Sequence, residues 1–343
     1  MSAKNYLVTG GCGFIGANYV ARLIKEGKTV TIADNLSRKG SEKNLTWLKK
    51  EFGDKSFRFE KVDIRDATAI EALCKSKDVI AHLAAQVAVT TSVVDPRFDF
   101  EVNAVGTLNV LEGARLANNQ PIVIYSSTNK VYGGLEHEGI VEDKMRYRYA
   151  KLTHGVSEEC SLDFHSPYGC SKGAADQYVR DYCRIFGIPT LVFRQSCIYG
   201  ERQFGIVDQG WVSFLIINSI TGRPICIYGD GKQVRDLLHV RDLLDVFEIA
   251  ISKINQCKGQ IYNIGGGMAN SISVWSEFGP RLETLCAKKI TVKHEDWRPG
   301  DQKVFVCDIS KAKNELGWVP KINLDSGIKQ AFDWVKANQD LFD

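Results

Sequence analysis

Strand-like and helix-like segments alternate along the first half of the chain. Short apolar runs rich in β-branched residues predict strands at residues 6–9, 29–33, 57–62, 79–83, 122–126 and 190–193. Apolar positions at helical spacing predict helices over residues 14–25, 98–116 and 167–186. Such alternation is typical of an α/β protein with a doubly wound parallel sheet, covered by helices on both faces.

The pattern changes after Ser196, where strands become shorter and glycine, tryptophan and arginine become more frequent. We therefore expect a main domain of residues 1–196 plus 234–270, and a smaller mixed α/β domain of residues 197–233 plus 271–343. Residues 261–264, which precede three consecutive glycines, are expected to return to the main sheet. Residues 136–163 are rich in charge and tyrosine and predict an irregular excursion.

The charge balance limits the classes of partner. With 44 basic and 41 acidic side chains, the net charge of +3 favours neither nucleic acid nor a membrane surface, and no apolar run is long enough to span a bilayer. The ten cysteines show no C-x-x-C pair and no zinc-type spacing, so we expect reduced thiols and no metal site. Residues 1–6 leave no room for a signal peptide, and the expected compartment is the cytoplasm.

A glycine-rich loop joins the first predicted strand to the first predicted helix. Gly10 permits a tight turn, Gly13 lets the backbone approach a pyrophosphate, and Gly16 permits close packing of helix and strand. The helix N-terminus presents free N–H groups and a positive dipole end to phosphates. Because Asp34 also ends the next strand, the loop predicts a dinucleotide site and not only a structural turn.

Asp34 lies where a carboxylate can accept hydrogen bonds from both hydroxyls of an adenosine ribose. A 2′-phosphate would meet like charge there, so NAD is favoured over NADP, although Arg38 and Lys39 lie close by. Asp63 and Ile64 follow the third predicted strand and are placed to contact the adenine. The alternative for Asp63 is a helix N-cap.

Tyr168 and Lys172 form a Y-x-x-x-K pair, with Ser166 as the expected N-cap and Pro167 as the first helical residue. Residues four apart share one face of a helix. A free tyrosine titrates near ~10 and is a poor base at neutral pH. A nearby ammonium and an oxidised nicotinamide both favour the phenolate. The pair is therefore a candidate proton-transfer group, in which Lys172 can also hold the nicotinamide ribose.

Hydroxyl side chains end the fifth predicted strand, at Ser126, Ser127 and Thr128. This is the carboxyl edge of the sheet, where ligands of such folds bind. Either Thr128 or Ser127 can hydrogen-bond a reacting oxygen, and the alternative is that the cluster only caps the strand. We interpret His82, which follows another strand, as a packing residue.

The chain resembles the extended short-chain dehydrogenases/reductases, which include nucleotide-sugar epimerases and dehydratases. The resemblance lies in the glycine loop, Asp34, residues 82–85, 103–107 and 126–133, the Tyr168/Lys172 pair, and residues 235–242 and 298–301. It implies a Rossmann domain, NAD as cofactor and a homo-oligomer. The cofactor contacts that we expect are Gly10, Gly13, Phe14, Ile15, Gly16, Asp34, Asn35, Ser37, Arg38, Asp63, Ile64, Leu83, Ala84, Ala85, Gln86, Asn103, Ser126, Tyr168 and Lys172.

The two residues after Thr128 bear on the reaction. The family's 4,6-dehydratases place an Asp-Glu acid/base pair there, whereas this chain has Asn129 and Lys130. Asparagine cannot protonate a leaving hydroxyl and lysine is a poor substitute for a carboxylate, so dehydration is disfavoured. Residues 34–40, 86–92, 126–133, 163–173 and 208–212 resemble members that epimerise CDP-activated hexoses at C2. The resemblance thus implies a CDP-hexose substrate.

The catalytic residues implied are Thr128, Tyr168 and Lys172, with Tyr168 removing a proton from the sugar while NAD stores a hydride. Two other hypotheses stay open. One is a 4-epimerase or reductase of the same superfamily that acts on UDP- or GDP-sugars. The other is an NAD-binding regulatory protein without catalysis, against which the intact catalytic set argues.

Candidate contacts to the substrate lie mostly in the second half of the chain. Arg235 and Arg298 suit a diphosphate, because guanidinium forks match phosphate oxygens, and the alternative is salt bridges with Asp236 and Asp301. Trp211 is equally compatible with stacking on the ligand and with the core. The full candidate set is Gln86, Thr90, Thr128, Asn129, Ser196, Gln209, Trp211, Tyr228, Arg235 and Arg298.

Overall fold

The computed structural model describes residues 3–298 and 301–342. Its strands are β1 Asn5–Thr9, β2 Thr29–Asp34, β3 Arg58–Lys61, β4 Val79–His82, β5 Ile122–Thr128, β6 Ile140–Glu142, β7 Tyr147–Tyr149, β8 Thr190–Gln195, β9 Cys197–Tyr199, β10 Ile225–Tyr228, β11 Val234–His239, β12 Ile261–Ile264, β13 Ser271–Ser273, β14 Val292–Glu295 and β15 Val304–Phe305. Its α-helices are α1 Phe14–Lys25, α2 Ser41–Phe52, α3 Ala67–Cys74, α4 Val89–Val94, α5 Pro96–Phe100, α6 Gly106–Leu116, α7 Ser166–Phe186, α8 Trp211–Thr221, α9 Val240–Ser252, α10 Ile254–Cys257, α11 Phe278–Cys286 and α12 Leu324–Ala337.

Seven strands form the central sheet, in the order β12-β8-β5-β4-β1-β2-β3. β1 lies between β4 and β2, and both of these pairs are parallel. The strand order reverses at β1, and folds of this kind bind ligands beyond the carboxyl ends of the strands at such a point. The doubly wound α/β prediction is confirmed, and so is the return of residues 261–264 to the sheet as β12.

The predicted helix over residues 98–116 is divided into three segments. α5 is followed by a π-helical turn, Glu101–Val105, and then by α6. Asn103 lies in the middle of this turn and is 1% exposed. A π-turn admits one extra residue per turn without ending the helix. The apolar periodicity therefore predicts the helical run but not its interruption.

The described chain divides into two compact units. The first consists of Met1–Thr128, Ser166–Arg194 and Leu244–Tyr262, and the second of Asn129–His165, Gln195–Leu243 and Asn263–Asp343. The second unit thus takes in residues 129–165, 195–196, 234–243 and 263–270, which the sequence pattern assigns to the main domain. The division of the chain into an NAD-binding and a sugar-binding domain stays a prediction.

Each unit has its own apolar core. In the first unit, buried side chains of the sheet, such as Leu7 and Ile80, pack with helix residues such as Val110. In the second, Tyr199 of β9 packs with Phe278 of α11 and with other buried apolar side chains of strands and helices. The short sheets of this unit comprise β13-β11-β15 with β9 beside β11, the pair β10-β14, and the hairpin β6-β7 within the predicted excursion. Among the described residues, no helix is long and apolar enough to cross a membrane, and no group of three His, Cys, Asp or Glu is arranged to hold a metal.

Candidate active site

The glycine loop closes tightly between β1 and α1. Gly10 has a φ of +67°, a conformation that disfavours residues with a Cβ, and its N–H donates to the carbonyl of Ala33 at 2.8 Å. A Cβ on Gly16 would lie 2.1 Å from the carbonyl oxygen of Gly10, so helix and loop meet closely there. Phe14 and Ile15 open α1, where backbone N–H groups lack helical acceptors. The loop therefore fits a bound pyrophosphate.

Asp34 ends β2 beside this loop. One carboxylate oxygen accepts from the N–H of Cys12 at 2.9 Å, and the other accepts from the N–H of Leu36 at 2.8 Å. Burial raises the pKa of Asp34, and these two hydrogen bonds oppose the rise. A carboxylate has about four acceptor positions, so two remain for the hydroxyls of a ribose. The residues present fit the adenosine end of NAD.

A small hydrogen-bonded cluster follows Asp34. The amide of Asn35 donates to Asp63 at 3.0 Å and its carbonyl accepts from the N–H of Ser37 at 3.1 Å. The Arg65 side chain also binds Asp63 and lowers its pKa. The N-cap alternative for Asp63 is wrong, because Asp66 caps α3 by accepting from the N–H of Ala69. Adenine recognition by Asp63 stays a prediction.

Two further predicted cofactor segments are held by the core. Ile64 is buried against Gly106, where a Cβ would lie 2.6 Å from its side chain. The segment Leu83-Ala84-Ala85 follows β4, and the first two N–H groups donate to the hydroxyl of Thr9 at 3.2 and 3.3 Å. A Cβ on Gly10 would lie 2.7 Å from the nitrogen of Ala84, so this segment forms the wall of the glycine loop.

His82 is a structural residue, as its position after a strand suggested. Its Nδ1 lies 2.7 Å from the hydroxyl of Thr9 and its Nε2 lies 3.0 Å from that of Thr107. Burial, followed by the charge of Lys172, lowers the pKa of His82 to about 3. The ring is therefore neutral at physiological pH and joins β1, β4 and α6.

Gln86 and Asn103 already have protein partners. Gln86 donates to the carbonyl of Ala88 at 2.8 Å and to Asp99 at 2.7 Å. The amide of Asn103 lies 3.1 Å from each of three oxygens, in the Gln86 backbone, Asp99 and Ser171. Their expected contacts with cofactor or sugar stay predictions. Neither Asp99 nor Ser171 was singled out by the sequence pattern.

Tyr168 lies near the start of α7, where Ser166 caps the helix by accepting from the N–H of Gly169 at 3.3 Å. Its side chain is buried and hydrogen-bonds the hydroxyl of Thr128 at the end of β5. Burial raises the pKa of Tyr168 to about 12, and the bond to Thr128 opposes the rise. The phenol is therefore protonated at neutral pH. Two of the candidate catalytic residues, Thr128 and Tyr168, thus lie in hydrogen-bond contact.

Lys172 lies one turn later on α7. Its ammonium donates to the backbone carbonyl of Ser126 at 2.6 Å and lies 4.2 Å from the ring centre of Tyr125. Burial lowers the pKa of Lys172 to about 7, while the carboxylates of Asp176 and Asp99 oppose the shift. The amine is therefore close to its titration midpoint at neutral pH.

Ser127 serves a different purpose from Thr128. Its hydroxyl donates to Asp176 at 2.7 Å, and Asp176 also binds the Arg194 guanidinium through two contacts of 2.9 and 3.0 Å. Both charged side chains are buried. Ser127 is thus bound to Asp176 while Thr128 hydrogen-bonds Tyr168, and contact of either hydroxyl with a reacting oxygen stays a prediction. The sequence carries no local signal for this ion pair, because its partners lie 18 residues apart, on α7 and β8.

Within the second unit, Asn129 and Lys130 begin a short 3₁₀ helix, Asn129–Tyr132. The Asn129 amide and the Lys130 amine both lie 3.4 Å from the side-chain carbonyl oxygen of Gln302. Burial lowers the pKa of Lys130 to about 8, Arg235 adds to this shift and Asp301 opposes it. Gln302 itself is 3% exposed and was not anticipated from the sequence.

The two candidate phosphate-binding arginines differ in their contacts. Arg235 pairs with Asp301 at 2.7 Å. The other carboxylate considered as its partner, Asp236, is buried and accepts from the hydroxyl of Ser196 and the N–H of Gly267. The guanidinium of Arg235 is therefore held by one carboxylate, which a diphosphate would have to share or replace.

Arg298 lies with its guanidinium carbon 3.8 Å from the ring centre of Tyr228, and it donates to the carbonyl of Val207 at 3.0 Å. The guanidinium of Arg298 lies 3.5 Å from a carboxylate oxygen of Asp208. Its ion-pair partner is thus Asp208 and not Asp301. Pro299 and Gly300 of the predicted motif lie outside the described residues. Arginine stacked on tyrosine presents a flat cationic surface.

The remaining sugar-site candidates are dispersed. The Trp211 ring meets Phe278 edge-on at 5.2 Å and packs against the second core, which favours its structural role. Ser196 donates to Asp236. Gln209 exchanges two backbone hydrogen bonds of 3.0 Å with Ile206, and Thr90 is exposed on α4. None of these observations tests a contact with the sugar.

Comparison with known proteins places these features in context. The sequence profile described as GDP-mannose 4,6 dehydratase matches residues 7–331. CDP-paratose 2-epimerase of Salmonella typhi is 44% identical over 338 residues, covering 96% of this chain and 99% of that protein. The crystal structure of UDP-glucose 4-epimerase with UDP-glucose from Thermotoga maritima has a TM-score of 0.84 at 28% identity, covering 98% and 99% of the two chains. The complex of Thermus thermophilus UDP-glucose 4-epimerase with NAD has a TM-score of 0.80 at 28% identity, covering 97% and 99%.

Proposed function

We propose a specific reaction for this chain, which belongs to the GDP-mannose 4,6 dehydratase family and thus to the extended short-chain dehydrogenases/reductases. It is an enzyme that uses NAD, and the proposed reaction is epimerisation of a CDP-activated deoxyhexose at C2, interconverting CDP-paratose and CDP-tyvelose. The observation that carries this proposal is the 44% identity with CDP-paratose 2-epimerase over nearly the whole of both chains.

The first unit contains the residues that would hold NAD. The loop of Gly10 and Gly13 would receive the pyrophosphate, Asp34 the adenosine ribose, and Lys172 the nicotinamide ribose. When bound, NAD supplies a reversible hydride acceptor. Recycling of the cofactor within one turnover makes the reaction free of net redox change, so no second substrate is needed.

Tyr168 is the proposed general base. It takes the proton from the C2 hydroxyl as that carbon is oxidised, and Thr128 hydrogen-bonds the same oxygen. Burial raises the pKa of Tyr168 to about 12, so the ionised form requires nearby positive charge. The charge of Arg38 opposes the rise, and the ammonium of Lys172 on the same helix face is proposed to add to this effect. The 2-ketosugar then rotates so that its other face lies towards the cofactor, and Tyr168 returns the proton to the C2 oxygen.

The residues after Thr128 support epimerisation over dehydration. Elimination of water needs an acid for the leaving hydroxyl and a base for the neighbouring carbon. Asn129 offers an amide, and Lys130 offers an amine whose pKa is lowered to about 8 by burial. Gln302 accepts from both side chains. Positions 129 and 130 therefore supply hydrogen-bond donors and not the carboxylate pair of the dehydratases.

The second unit would bind the nucleotide part of the substrate. Arg235 and Arg298 are proposed to bind the diphosphate, with Tyr228 beside Arg298 offering an aromatic surface to the nucleobase. We also propose a homo-oligomer. Apolar side chains are exposed on helices of the first unit, among them Phe100 at 51%, Tyr178 at 54% and Ile185 at 66%.

Proton NMR of the purified protein incubated with CDP-tyvelose, without added cofactor, tests the proposed reaction. Conversion to a mixture with CDP-paratose is expected, because the cofactor is recycled and stays with the protein. An unchanged spectrum even with added NAD would contradict C2 epimerisation of this sugar. Turnover of UDP-glucose in the same assay would instead indicate a 4-epimerase, and a requirement for NADPH would indicate a reductase.

A further inference from the structure

Gln302 is a buried amide that contacts both ends of the short 3₁₀ helix Asn129–Tyr132, and its side chain is 3% exposed. Its side-chain carbonyl oxygen lies 3.4 Å from the amide nitrogen of Asn129 and 3.4 Å from the amine of Lys130. Its side-chain N–H donates to the backbone carbonyl of Gly133, which directly follows the helix. One side chain therefore fixes this segment at its start and just beyond its end.

The last residue of the 3₁₀ helix is fixed by other contacts of the second unit. The ring of Tyr132 stacks on that of Phe305, with ring centres 6.2 Å apart, and its hydroxyl donates to Asn263 at 2.8 Å. Neither contact involves the side chains of the first two residues of the helix, which both meet Gln302. The orientation of those two side chains therefore depends on Gln302.

Asp301 and Gln302 are consecutive and together contact three side chains of the candidate substrate site. Asp301 pairs with the guanidinium of Arg235 at 2.7 Å, while Gln302 meets Asn129 and Lys130. β15 begins two residues after Gln302 and pairs with β11, which carries Arg235. The dipeptide is thus anchored to a sheet of the second unit and holds a candidate sugar contact beside a candidate phosphate contact.

The amine of Lys130 has an environment that a contact with Gln302 affects in a definite direction. Burial lowers the pKa of Lys130 to about 8, Arg235 adds to this shift, and Asp301 and Cys197 oppose it. Burial raises the pKa of the Cys197 thiol, so this group is uncharged at neutral pH. A carbonyl oxygen beside an ammonium favours the charged form. The Gln302 carbonyl therefore acts in the same direction as the Asp301 carboxylate and stabilises Lys130 as a donor.

We propose that Gln302 is a positioning residue that holds the amide of Asn129 and the amine of Lys130 as a fixed pair of hydrogen-bond donors for the substrate. The inference rests on the proposed function, in which these two positions replace the acid/base pair of the dehydratases. Gln302 acts through its two neighbours. Donors that are held before the substrate binds need no further ordering, and this favours both binding and reaction.

The test is a pH titration of Lys130 in the full chain, labelled with ¹³Cε-lysine and observed by NMR, with Lys130→Met to assign the signal. Gln302→Met keeps the length of the side chain and removes the acceptor, so the Lys130 midpoint should fall. Gln302→Glu places a carboxylate at the acceptor, so the midpoint should rise by about one pKa unit or more.

The opposite signs separate positioning from a merely structural role. A general loosening of the packing would raise the midpoint in both variants, because it relieves the burial that lowers the pKa of Lys130. The proposal requires the midpoint of Gln302→Met to lie below that of the unmodified protein, and the midpoint of Gln302→Glu to lie above it. Any other order would overturn the proposal.

Gln203→Met is the matched control in the second unit. Gln203 is also 3% exposed, donates to the carbonyl of Ile198 at 3.2 Å and accepts from the hydroxyl of Ser213 at 2.5 Å. Its replacement removes a buried amide of the same kind at a different place and should leave the Lys130 midpoint unchanged. A shift equal to that of Gln302→Met would overturn the proposal.

A second measurement covers the case in which a Gln302 variant does not fold. In the unmodified protein, the side-chain amide ¹⁵N signal of Gln302, assigned through its backbone, should move with a midpoint of about 8 as Lys130 titrates. This inflection should be absent from Lys130→Met. An amide signal that does not follow the titration of Lys130 would overturn the proposal.

Turnover tests the consequence for the reaction. With CDP-tyvelose, kcat/KM should fall about 10-fold in Gln302→Met and by less when Lys130→Met is already present, because residues in contact are not additive. Equal fold-losses in the two backgrounds would show that Gln302 does not act through Lys130 and would overturn the proposal. If the unmodified protein does not act on CDP-tyvelose, the proposed function fails. The two titrations use no sugar and still decide this inference.

Discussion

The ammonium of Lys172 donates a hydrogen bond of 2.6 Å to the backbone carbonyl of Ser126. The bond joins the second turn of α7 to the carboxyl end of β5. At the same strand end, Thr128 hydrogen-bonds Tyr168. Helix and strand are therefore held together by the residues that are proposed to carry out the chemistry. Because each contact uses a buried polar group, loss of either partner leaves the other unsatisfied.

Replacement of Tyr168 by phenylalanine removes one oxygen from the proposed base. We expect turnover to fall by ~10²–10⁴-fold, the usual contribution of general-base catalysis. Bound NAD should remain, because the glycine loop, Asp34 and Lys172 are unchanged. The measurements are product formation by NMR and release of nucleotide on acid precipitation. Tyr178→Phe, on the same helix and 54% exposed, is the matched control and should behave like the unmodified protein. Full activity of Tyr168→Phe would remove this residue from the mechanism.

Gly13→Ala separates cofactor binding from folding. Gly13 has an ordinary φ of −69°, and an added Cβ would lie 3.1 Å from the carbonyl of Gly10, which requires only a small adjustment. We expect a folded protein with weaker NAD binding, because a methyl group would project where the backbone is proposed to approach the pyrophosphate. In Gly16→Ala the corresponding distance is 2.1 Å, so both stability and binding should fall. Thermal unfolding and NAD titration measure the two effects, and unchanged NAD affinity in Gly13→Ala would contradict the assigned role.

The buried pair of Asp176 and Arg194 should contribute strongly to stability. Asp176→Asn leaves a buried guanidinium without its counter-charge, which costs about 3–5 kcal/mol of unfolding free energy. Asp333→Asn is the matched control, since its partner Lys329 is exposed and such surface pairs contribute ~0–1 kcal/mol. Urea denaturation followed by circular dichroism compares the two variants. Equal midpoints would show that the buried pair is not a major source of stability.

Stability should fall as the pH is lowered, partly through His82. Burial lowers its pKa to about 3 in the folded protein, whereas an unfolded histidine titrates near ~6.5. Between these two pKa values the unfolded chain binds a proton that the folded chain does not. The contribution of His82 to stability is therefore complete above the pKa of the unfolded state and is lost as the pH falls towards the pKa of the folded state. The slope approaches about 1.4 kcal/mol per pH unit for one proton.

The check is the free energy of unfolding at several pH values between the two pKa values. His82→Gln should remove the contribution of one proton from the pH dependence of the free energy of unfolding. Loss of the bonds to Thr9 and Thr107 lowers that free energy at all pH values and is a separate effect. The same slope in His82→Gln and in the unmodified protein would contradict the assignment.

Local sequence was sufficient for the elements and for motifs that lie within one of them. The spacing of Gly10, Gly13 and Gly16 predicts the loop because the strand, turn and helix that need those glycines are consecutive in the chain. Tyr168 and Lys172 share a helix face because the period of the helix requires it. The same local logic anticipated α1 and the return of β12, since apolar periodicity depends only on neighbouring positions.

The tertiary structure decided which polar side chains from distant parts of the chain meet. Asp176 pairs with Arg194 from the next strand, Ser171 binds Asp99 across 72 residues, and Gln302 lies beside Lys130 across 172 residues. No local period encodes these partners, because they are brought together by the winding of helices over the sheet and by the packing of the second unit. Burial then sets their energetic effect, since the same carboxylates and amines would be solvated and nearly independent in an unfolded chain.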